Sequence, residues 1–480
     1  MATKRFNVRT LELAFLLITI PFLVWPLISV QPSPPWLRSL PLLAVLFVAI
    51  HLSHEGYRWH MLPGYLLVAS LLVFEGWRML RPARLPVWAS LAGMLLLATA
   101  IALGTLLPVF EFPPLTGPYP VGTAVYHFVD ASRAETFSSN PADRRELMVQ
   151  LWYPAEPMPG AKRAFYRSRA TTRLKKENLA LVRTYALAGA PLARAPSPFP
   201  VLIFSPSWNG GRGQNTFQTE ELASHGFVVA GIDHPYGTDL TIFPDGRVVK
   251  TALPEFLNTS SDGALQACIR TMDEQVRIRA HDAIFVLDQL RALNSHDPSG
   301  RLEGRLDLTR AGIFGHSFGG AVAMEACWLD RRFRACLNMD GLLCAEAADA
   351  GVKQPFLIMN DDTPPPTSAE LTSENPRQRR YAALINRDIG RINQTLDRYG
   401  GYEITIRGAH HMNYSDSPLY TPIKRLSGAG PVDVYRAMHI INAYTLAFFD
   451  CYLNGTHQRL LDGSLDFPEV TFDAHQCPSR

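Results

Sequence analysis

The string Ala311-Gly-Ile-Phe-Gly315-His316-Ser317-Phe318-Gly319-Gly320 sets a serine in Gly-x-Ser-x-Gly between an apolar run and a helix-like run. This is the pattern of a nucleophile elbow, in which the serine sits on a sharp, strained turn from strand to helix. Glycines flank it because a Cβ there would meet the neighbouring strand and helix. The turn lifts the serine Oγ above the sheet edge. It also directs backbone N–H groups at the start of the helix, that of Phe318 among them, at the place where an oxyanion forms. The chemistry is acyl transfer through a covalent intermediate. A serine hydroxyl is a weak nucleophile at neutral pH, so a base must lie within hydrogen-bond reach and a carboxylate must orient that base.

On this fold the acid and then the histidine follow the serine along the chain. A strand predicted over 402–407 runs into Gly408-Ala409-His410-His411-Met412-Asn413, which offers His410 and His411 without choosing between them. His316 and His234 adjoin or precede the serine and read as local packing or polar contacts. Two placements are open for the acid: Asp340 ends the strand after the elbow helix, and Asp361 and Asp362 follow the next strand. All lie at the carboxyl end of a strand, where ligands gather in open α/β sheets. The loop 204–211, Phe-Ser-Pro-Ser-Trp-Asn-Gly-Gly, follows an early strand and occupies the place of the second oxyanion donor. Its glycines lack the Gly-Lys-Ser/Thr of a phosphate cradle.

The elements that must position these residues alternate between short apolar runs and longer amphipathic ones, the signature of βα units and a mostly parallel sheet. Strands are expected over 147–153, 201–205, 227–233, 311–314, 335–340, 356–360 and 402–407, and helices over 215–224, 273–293, 319–328 and 432–454. The expected fold is one α/β domain over 115–477. Two long connections interrupt the alternation, 154–198 and the Pro-rich 361–376, and long connections of this kind often serve as lids or binding loops. The first carries Lys162, Arg163, Arg167, Arg169, Arg173, Lys175, Lys176 and Arg183 against the single acid Glu177. It reads as a solvated charged helix face, with contact to anionic head groups as the alternative.

The N-terminal region is of another kind. Residues 1–110 hold eleven of the 89 charged side chains, and 85–107 is uncharged over 23 positions, enough to cross a hydrocarbon core of about 30 Å. Residues 13–30 and 61–77 are further candidate spans, and 37–53 either crosses or re-enters. The expectation is an all-α transmembrane region of three to four helices over 1–110 and a multi-pass integral protein. With four spans, Lys4, Arg5, Arg9 and Arg58 balance Arg38, Arg78, Arg81 and Arg84, so the positive-inside rule leaves the side of the catalytic domain open. His51, His54, Glu55, His60 and Glu75 cluster where spans turn and read as interfacial, solvated groups.

A formal net charge of +3 and the lack of zinc-finger spacing give no footprint for nucleic acid. The six cysteines show no CxxC spacing. Cys451 and Cys477 suit either a staple of the C-terminal tail or free thiols.

Taken together, the motifs resemble the platelet-activating factor acetylhydrolase family, in its plasma and intracellular type II branch, within the α/β-hydrolase superfamily. The likeness covers most of 115–455. It rests on Gly-Pro-Tyr-Pro-Val-Gly at 117–122, Gln-Leu-Trp-Tyr-Pro at 150–154, Ala-Ser-His-Gly-Phe-Val-Val at 223–229, the Gly-His-Ser-Phe-Gly-Gly elbow, and Ile406-Arg407-Gly408 followed by His-x-Asn-aromatic. The resemblance implies Asp340 as the acid and His411 as the base of Ser317, with oxyanion donors at Phe318 and Trp208. The family's His-Gly after the first oxyanion strand is here Pro206-Ser207. The resemblance implies a serine carboxylic-ester hydrolase without metal or organic cofactor. The N-terminal spans lie outside the likeness, and it is the tether to a lipid bilayer that suggests esters partitioning into membranes, such as phospholipids with short-chain or oxidised acyl groups. A broad-specificity carboxylesterase or polyester hydrolase, or a non-catalytic membrane-anchored scaffold, is the alternative. Protein partners are not indicated.

Overall fold

The computed structural model describes residues 9–81, 83–175, 179–463 and 465–475. Lys4, Arg5, Lys176, Glu177 and Cys477, which entered the readings above, lie outside the described residues. The chain forms two compact units. One comprises 1–111, 165–183 and 419–427, and the other 112–164, 184–418 and 428–480.

In chain order the strands are β1 (Val121–Ala134), β2 (Arg144–Pro154), β3 (Arg163–Phe165), β4 (Arg183–Ala188), β5 (Phe199–Ser205), β6 (Val228–Asp233), β7 (Leu240–Ile242), β8 (Val248–Lys250), β9 (Leu306–His316), β10 (Phe333–Met339), β11 (Phe356–Asn360), β12 (Gly401–Ile406) and β13 (Val470–His475). Apart from the β7–β8 hairpin they form a sheet of order β13-β12-β11-β10-β9-β5-β6-β2-β1-β4-β3. From β6 through β5, β9, β10 and β11 to β12 every pairing is parallel. At the flanks β2 runs antiparallel to β6, β1 to β2, and β13 to β12.

The central strands are continuous apolar runs because both faces are covered by helices. Along β5 and β9 the side chains alternate. Val201, Ile203, Ala311 and Ile313 join a core with Val276, Ala280 and Ala283 of the helix Asp262–Ser295 and Ala321 of the elbow helix Phe318–Leu329. On the opposite face Phe204 packs 5.1 Å from Phe314, and Phe314 packs 6.0 Å from Phe449 of the helix Val434–Asn454. The helix Asp262–Ser295 buries Cys268, Met272, Val276, Ala280, Ala283, Leu287 and Leu290, a three-and-four spacing along one stripe. Ser261 caps its start by accepting from the Ala264 N–H.

The expected strands and helices occur where their apolar periods placed them, with ends differing by a few residues. One exception is the helix read over 273–293, which begins eleven residues earlier, at Asp262. Several elements carried too weak a signal, among them the short β3 and β4 inside the 154–198 connection, and β7 and β8. β1 and β13 are half-exposed flanking strands. The helix Pro376–Tyr399 is mostly polar and buries only a thin stripe including Ala382, Ile392 and Leu396.

In the first unit, Thr10–Ile28, Pro35–His54, Trp59–Leu80 and Val87–Leu106 are each long and apolar enough to cross a membrane. The solvated reading of the ionisable cluster fails for most of its members, since His51, His60 and Glu75 are buried and only His54 is fully exposed. The physical reason is that they face into the bundle, where His51 and Glu75 find partners. Arg58 donates to Glu12 at 2.6 Å and to the Leu107 carbonyl at 2.6 Å, and His51 bonds both Glu55 and Tyr65 at 2.8 Å. Glu75 pairs with Arg78. In the same unit the Tyr166 and Tyr420 hydroxyls meet at 2.6 Å, and Phe110 stacks on Tyr420 at 5.8 Å. In the basic connection Lys162, Arg163, Arg173 and Arg183 are exposed, as the solvated reading expects, and several of the arginines lie over aromatic rings. Arg167 lies over Tyr166, Arg183 over Phe165 and, in the second unit, Arg163 over Tyr185. Cys268, Cys327, Cys336 and Cys344 are buried free thiols, and Cys451 is buried as well.

A buried ionic tie joins β2 to the long helix. Arg145 spans both oxygens of Asp282, at 3.1 and 2.6 Å, and reaches Glu135 at 2.9 Å. Removing the cation strands these buried carboxylates. Arg145→Met is therefore expected to destabilise the second unit by about 3–5 kcal/mol, measurable as a loss in chemical denaturation.

Candidate active site

β9 delivers Ser317 at its carboxyl end. The residue stands at φ 57°, ψ −125°, outside the regions that L-residues ordinarily occupy, a conformation costing about 1–3 kcal/mol. Two contacts hold it there. The Ser317 N–H donates to the Met339 carbonyl at 2.7 Å, and the Ser317 carbonyl accepts from the Gly320 N–H at 2.8 Å. The glycines permit the crossing. A Cβ on Gly315 would fall 2.0 Å from the carbonyl oxygen of Gly319, and one on Gly319 would fall 2.0 Å from that of Ser205.

The neighbouring strand repeats the device. Asp340 follows β10 at φ 57°, with its N–H on the Met359 carbonyl at 2.7 Å. One carboxylate oxygen accepts from the Asp361 N–H at 2.9 Å, and the other accepts from His411 Nδ1 at 2.5 Å. Of the acids and histidines left open by spacing, the structure brings Asp340 and His411 together. Asp361 turns its carboxylate to Thr363, Asp362 accepts from the Gly408 N–H, and His410 is exposed.

Electrostatics follow from this arrangement. Burial opposes the charged form of His411, but the hydrogen bond and charge of Asp340, with the charge of Asp361, outweigh it and hold its pKa above 6.5. Burial and the Asp340 charge raise the pKa of Asp361. His316 is held well below 6.5 by burial and by the neighbouring His411, so it is neutral near pH 7. Its tautomer is fixed by its partners. Nε2 must donate to the His411 carbonyl at 2.9 Å, leaving Nδ1 to accept from the Gln214 amide at 2.8 Å.

Gln214 then reaches the loop after β5. Its amide oxygen accepts from the Ser207 N–H at 2.9 Å and the Ser207 hydroxyl at 3.0 Å. One side chain thus links the loop carrying Trp208 to the segment carrying His411. The Trp208 indole donates to the Pro254 carbonyl at 3.1 Å, and its ring meets that of Phe318 edge-on at 4.8 Å. Neither the Trp208 nor the Phe318 backbone N–H has an acceptor among the described residues. His234, as expected from its place before the serine, is a buried polar contact between Asp282 at 2.8 Å and Ser205 at 3.2 Å. Gln214 escaped the sequence reading because a lone glutamine in a loop carries no spacing signal. Among the described residues no group of histidine, cysteine or carboxylate side chains is arranged to hold a metal.

A parallel sheet with a strained serine at one strand end and a hydrogen-bonded acid and histidine beside it defines an α/β-hydrolase. Residues 106–460 match the family described as platelet-activating factor acetylhydrolase, isoform II. The chain belongs to that family. It is 26% identical over 292 residues to a protein of Arthroderma benhamiae named "Probable 1-alkyl-2-acetylglycerophosphocholine esterase", covering 57% of this chain and 66% of that one. It is 26% identical over 365 residues to the platelet-activating factor acetylhydrolase of Cavia porcellus, covering 71% and 78%. A solved ferulic acid esterase from Streptomyces cinnamoneus superposes with a TM-score of 0.59 at 32% identity, over 75% of this chain and 98% of its own.

A general base acts in its neutral form, so activity should fall on the acid side of a pKa above 6.5. Asp361→Asn removes one charge that favours protonated His411. The acid limb of its kcat/KM profile is therefore expected at lower pH than in the unmodified protein.

Proposed function

We propose that this chain is a serine carboxylic-ester hydrolase working through Ser317, His411 and Asp340. The observation that carries the reading is the hydrogen bond from His411 Nδ1 to Asp340, made beside a serine in an elbow conformation. In the proposed mechanism His411 takes the Ser317 proton as Oγ attacks the ester carbonyl. The carbonyl π pair moves onto oxygen, and the N–H groups of Phe318 and Trp208 receive the resulting oxyanion. Collapse expels the alcohol with the proton from His411. Water, deprotonated by the same imidazole, then releases the acid and frees the serine. Asp340 keeps Nδ1 protonated and stabilises the imidazolium.

The substrate class proposed is short-chain or oxidised acyl esters of phospholipids. The names of the fungal and guinea-pig relatives support it, as does an N-terminal set of helices long enough to cross a bilayer. In this reading 1–110 is a multi-pass transmembrane region and 115–477 the catalytic domain. The likeness to a ferulic acid esterase supports a second reading, a carboxylesterase acting on aromatic-acid or polyester substrates.

The test is turnover by the full-length protein in detergent, comparing 1-alkyl-2-acetylglycerophosphocholine with a feruloyl ester. Ser317→Ala and His411→Ala are expected to lose at least about 10³-fold in kcat, and Asp340→Asn a comparable factor. His410→Ala should retain activity. Hydrolysis that persists in Ser317→Ala would overturn the mechanism, and preference for the feruloyl ester would favour the second reading.

A further inference from the structure

A buried cation grips the loop after β5 from behind. Arg279, on the helix Asp262–Ser295, is 1% exposed. Its Nη1 donates to the Ser207 carbonyl at 3.1 Å and its Nη2 to the Gly237 carbonyl at 2.8 Å. Among the described residues it has no carboxylate within ion-pairing distance. Asp282, three residues along the same helix, is engaged by Arg145 and His234. The guanidinium stands 4.9 Å from the Phe318 ring and 5.9 Å from the Trp208 ring. It therefore touches, by hydrogen bond or ring face, both residues whose N–H groups are proposed to receive the oxyanion.

The geometry of one peptide makes this arrangement consequential. The Ser207 carbonyl and the Trp208 N–H belong to the same peptide unit, which is trans, so the two bonds point in opposite directions. The Gly210 N–H at 2.9 Å and Arg279 together fix the oxygen, which turns the Trp208 N–H to the other side. Hydrogen bonding to a cation also polarises the peptide and makes that N–H a stronger donor. A guanidinium buried without a carboxylate is expensive, and an apolar side chain of similar volume would serve stability at least as well. Residues kept against that cost concentrate where function needs them.

We infer that Arg279 is a positioning residue for the oxyanion hole, orienting and polarising the Ser207–Trp208 peptide so that its N–H meets the negative oxygen of the tetrahedral intermediate. The inference rests on the esterase reading above. The charge appears only as the Ser317 Oγ–carbon bond forms and the carbonyl π pair moves onto oxygen, so the contribution of Arg279 belongs to kcat rather than to substrate binding.

The test uses the full-length protein in detergent and compares the unmodified chain with Arg279→Lys and Arg279→Gln on p-nitrophenyl acetate. Active sites are titrated with a fluorophosphonate so that rates refer to competent protein. Arg279→Gln is expected to lose about 10- to 100-fold in kcat per titrated site with KM little changed, and to weaken inhibition by a trifluoromethyl ketone by a similar factor. Arg279→Lys, which keeps the charge, should fall between. A purely structural role would lower thermal stability while leaving kcat per site and inhibitor affinity intact in Arg279→Lys, and that result overturns the inference. If Arg279→Gln fails to fold, the lysine variant still decides. Turnover absent from the unmodified protein, or present but unaffected by Ser317→Ala, would overturn the esterase reading and this inference together.

Discussion

The site depends on a register. In the parallel sheet Met339 of β10 lies opposite His316 of β9, and Met359 of β11 opposite Met339. Each strand hands its next residue across. The Ser317 N–H bonds the Met339 carbonyl, and the Asp340 N–H bonds the Met359 carbonyl. Ser317 and Asp340 therefore step out of consecutive strands with the same positive φ of 57°. Unpaired, such backbone would relax; here the ladder over-determines it. The strain is the means by which two side chains leave the sheet edge together.

Around this pair the chain spends buried polar groups to fix the remaining parts. His316 ties the His411 carbonyl to Gln214, and Gln214 ties His316 to Ser207. Arg279 takes the far side of the same loop. Asp282, Arg145 and His234 extend the network under β5 to Ser205. The links are hydrogen bonds between buried or part-buried groups, where a misplaced partner costs more than at a surface. A network of this kind restricts the loop and the histidine to one arrangement, and acyl transfer needs donors that are already in place when charge develops.

How much of this could be read from residues alone varies with the strength of the local signal. The elbow was plain because Gly315, Ser317 and Gly319 must be those types, given the close passage of backbone at Gly319 and Ser205. The parallel strands were plain because burial on both faces makes them uninterrupted apolar runs. β1, β13 and the helix Pro376–Tyr399 were not, since half-exposed elements carry weak periods. Spacing leaves His410 beside His411, and Asp340 beside Asp361 and Asp362; the family resemblance points to Asp340 and His411, and the placement of side chains brings those two together. Gln214 and Arg279 lie far from the elbow in sequence and act through main-chain carbonyls or amides, which no side-chain pattern records. The ionisable groups of the N-terminal helices misled for a related reason, because composition shows a charge near the end of a span but not the face it occupies.

The proposed acyl transfer requires Ser317 to be the nucleophile. Its most direct measurement is peptide mapping by tandem mass spectrometry after the full-length protein reacts with a fluorophosphonate. One covalent adduct per chain is expected, on Ser317. An unmodified chain, or an adduct on another serine while Ser317 stays free, would contradict the mechanism.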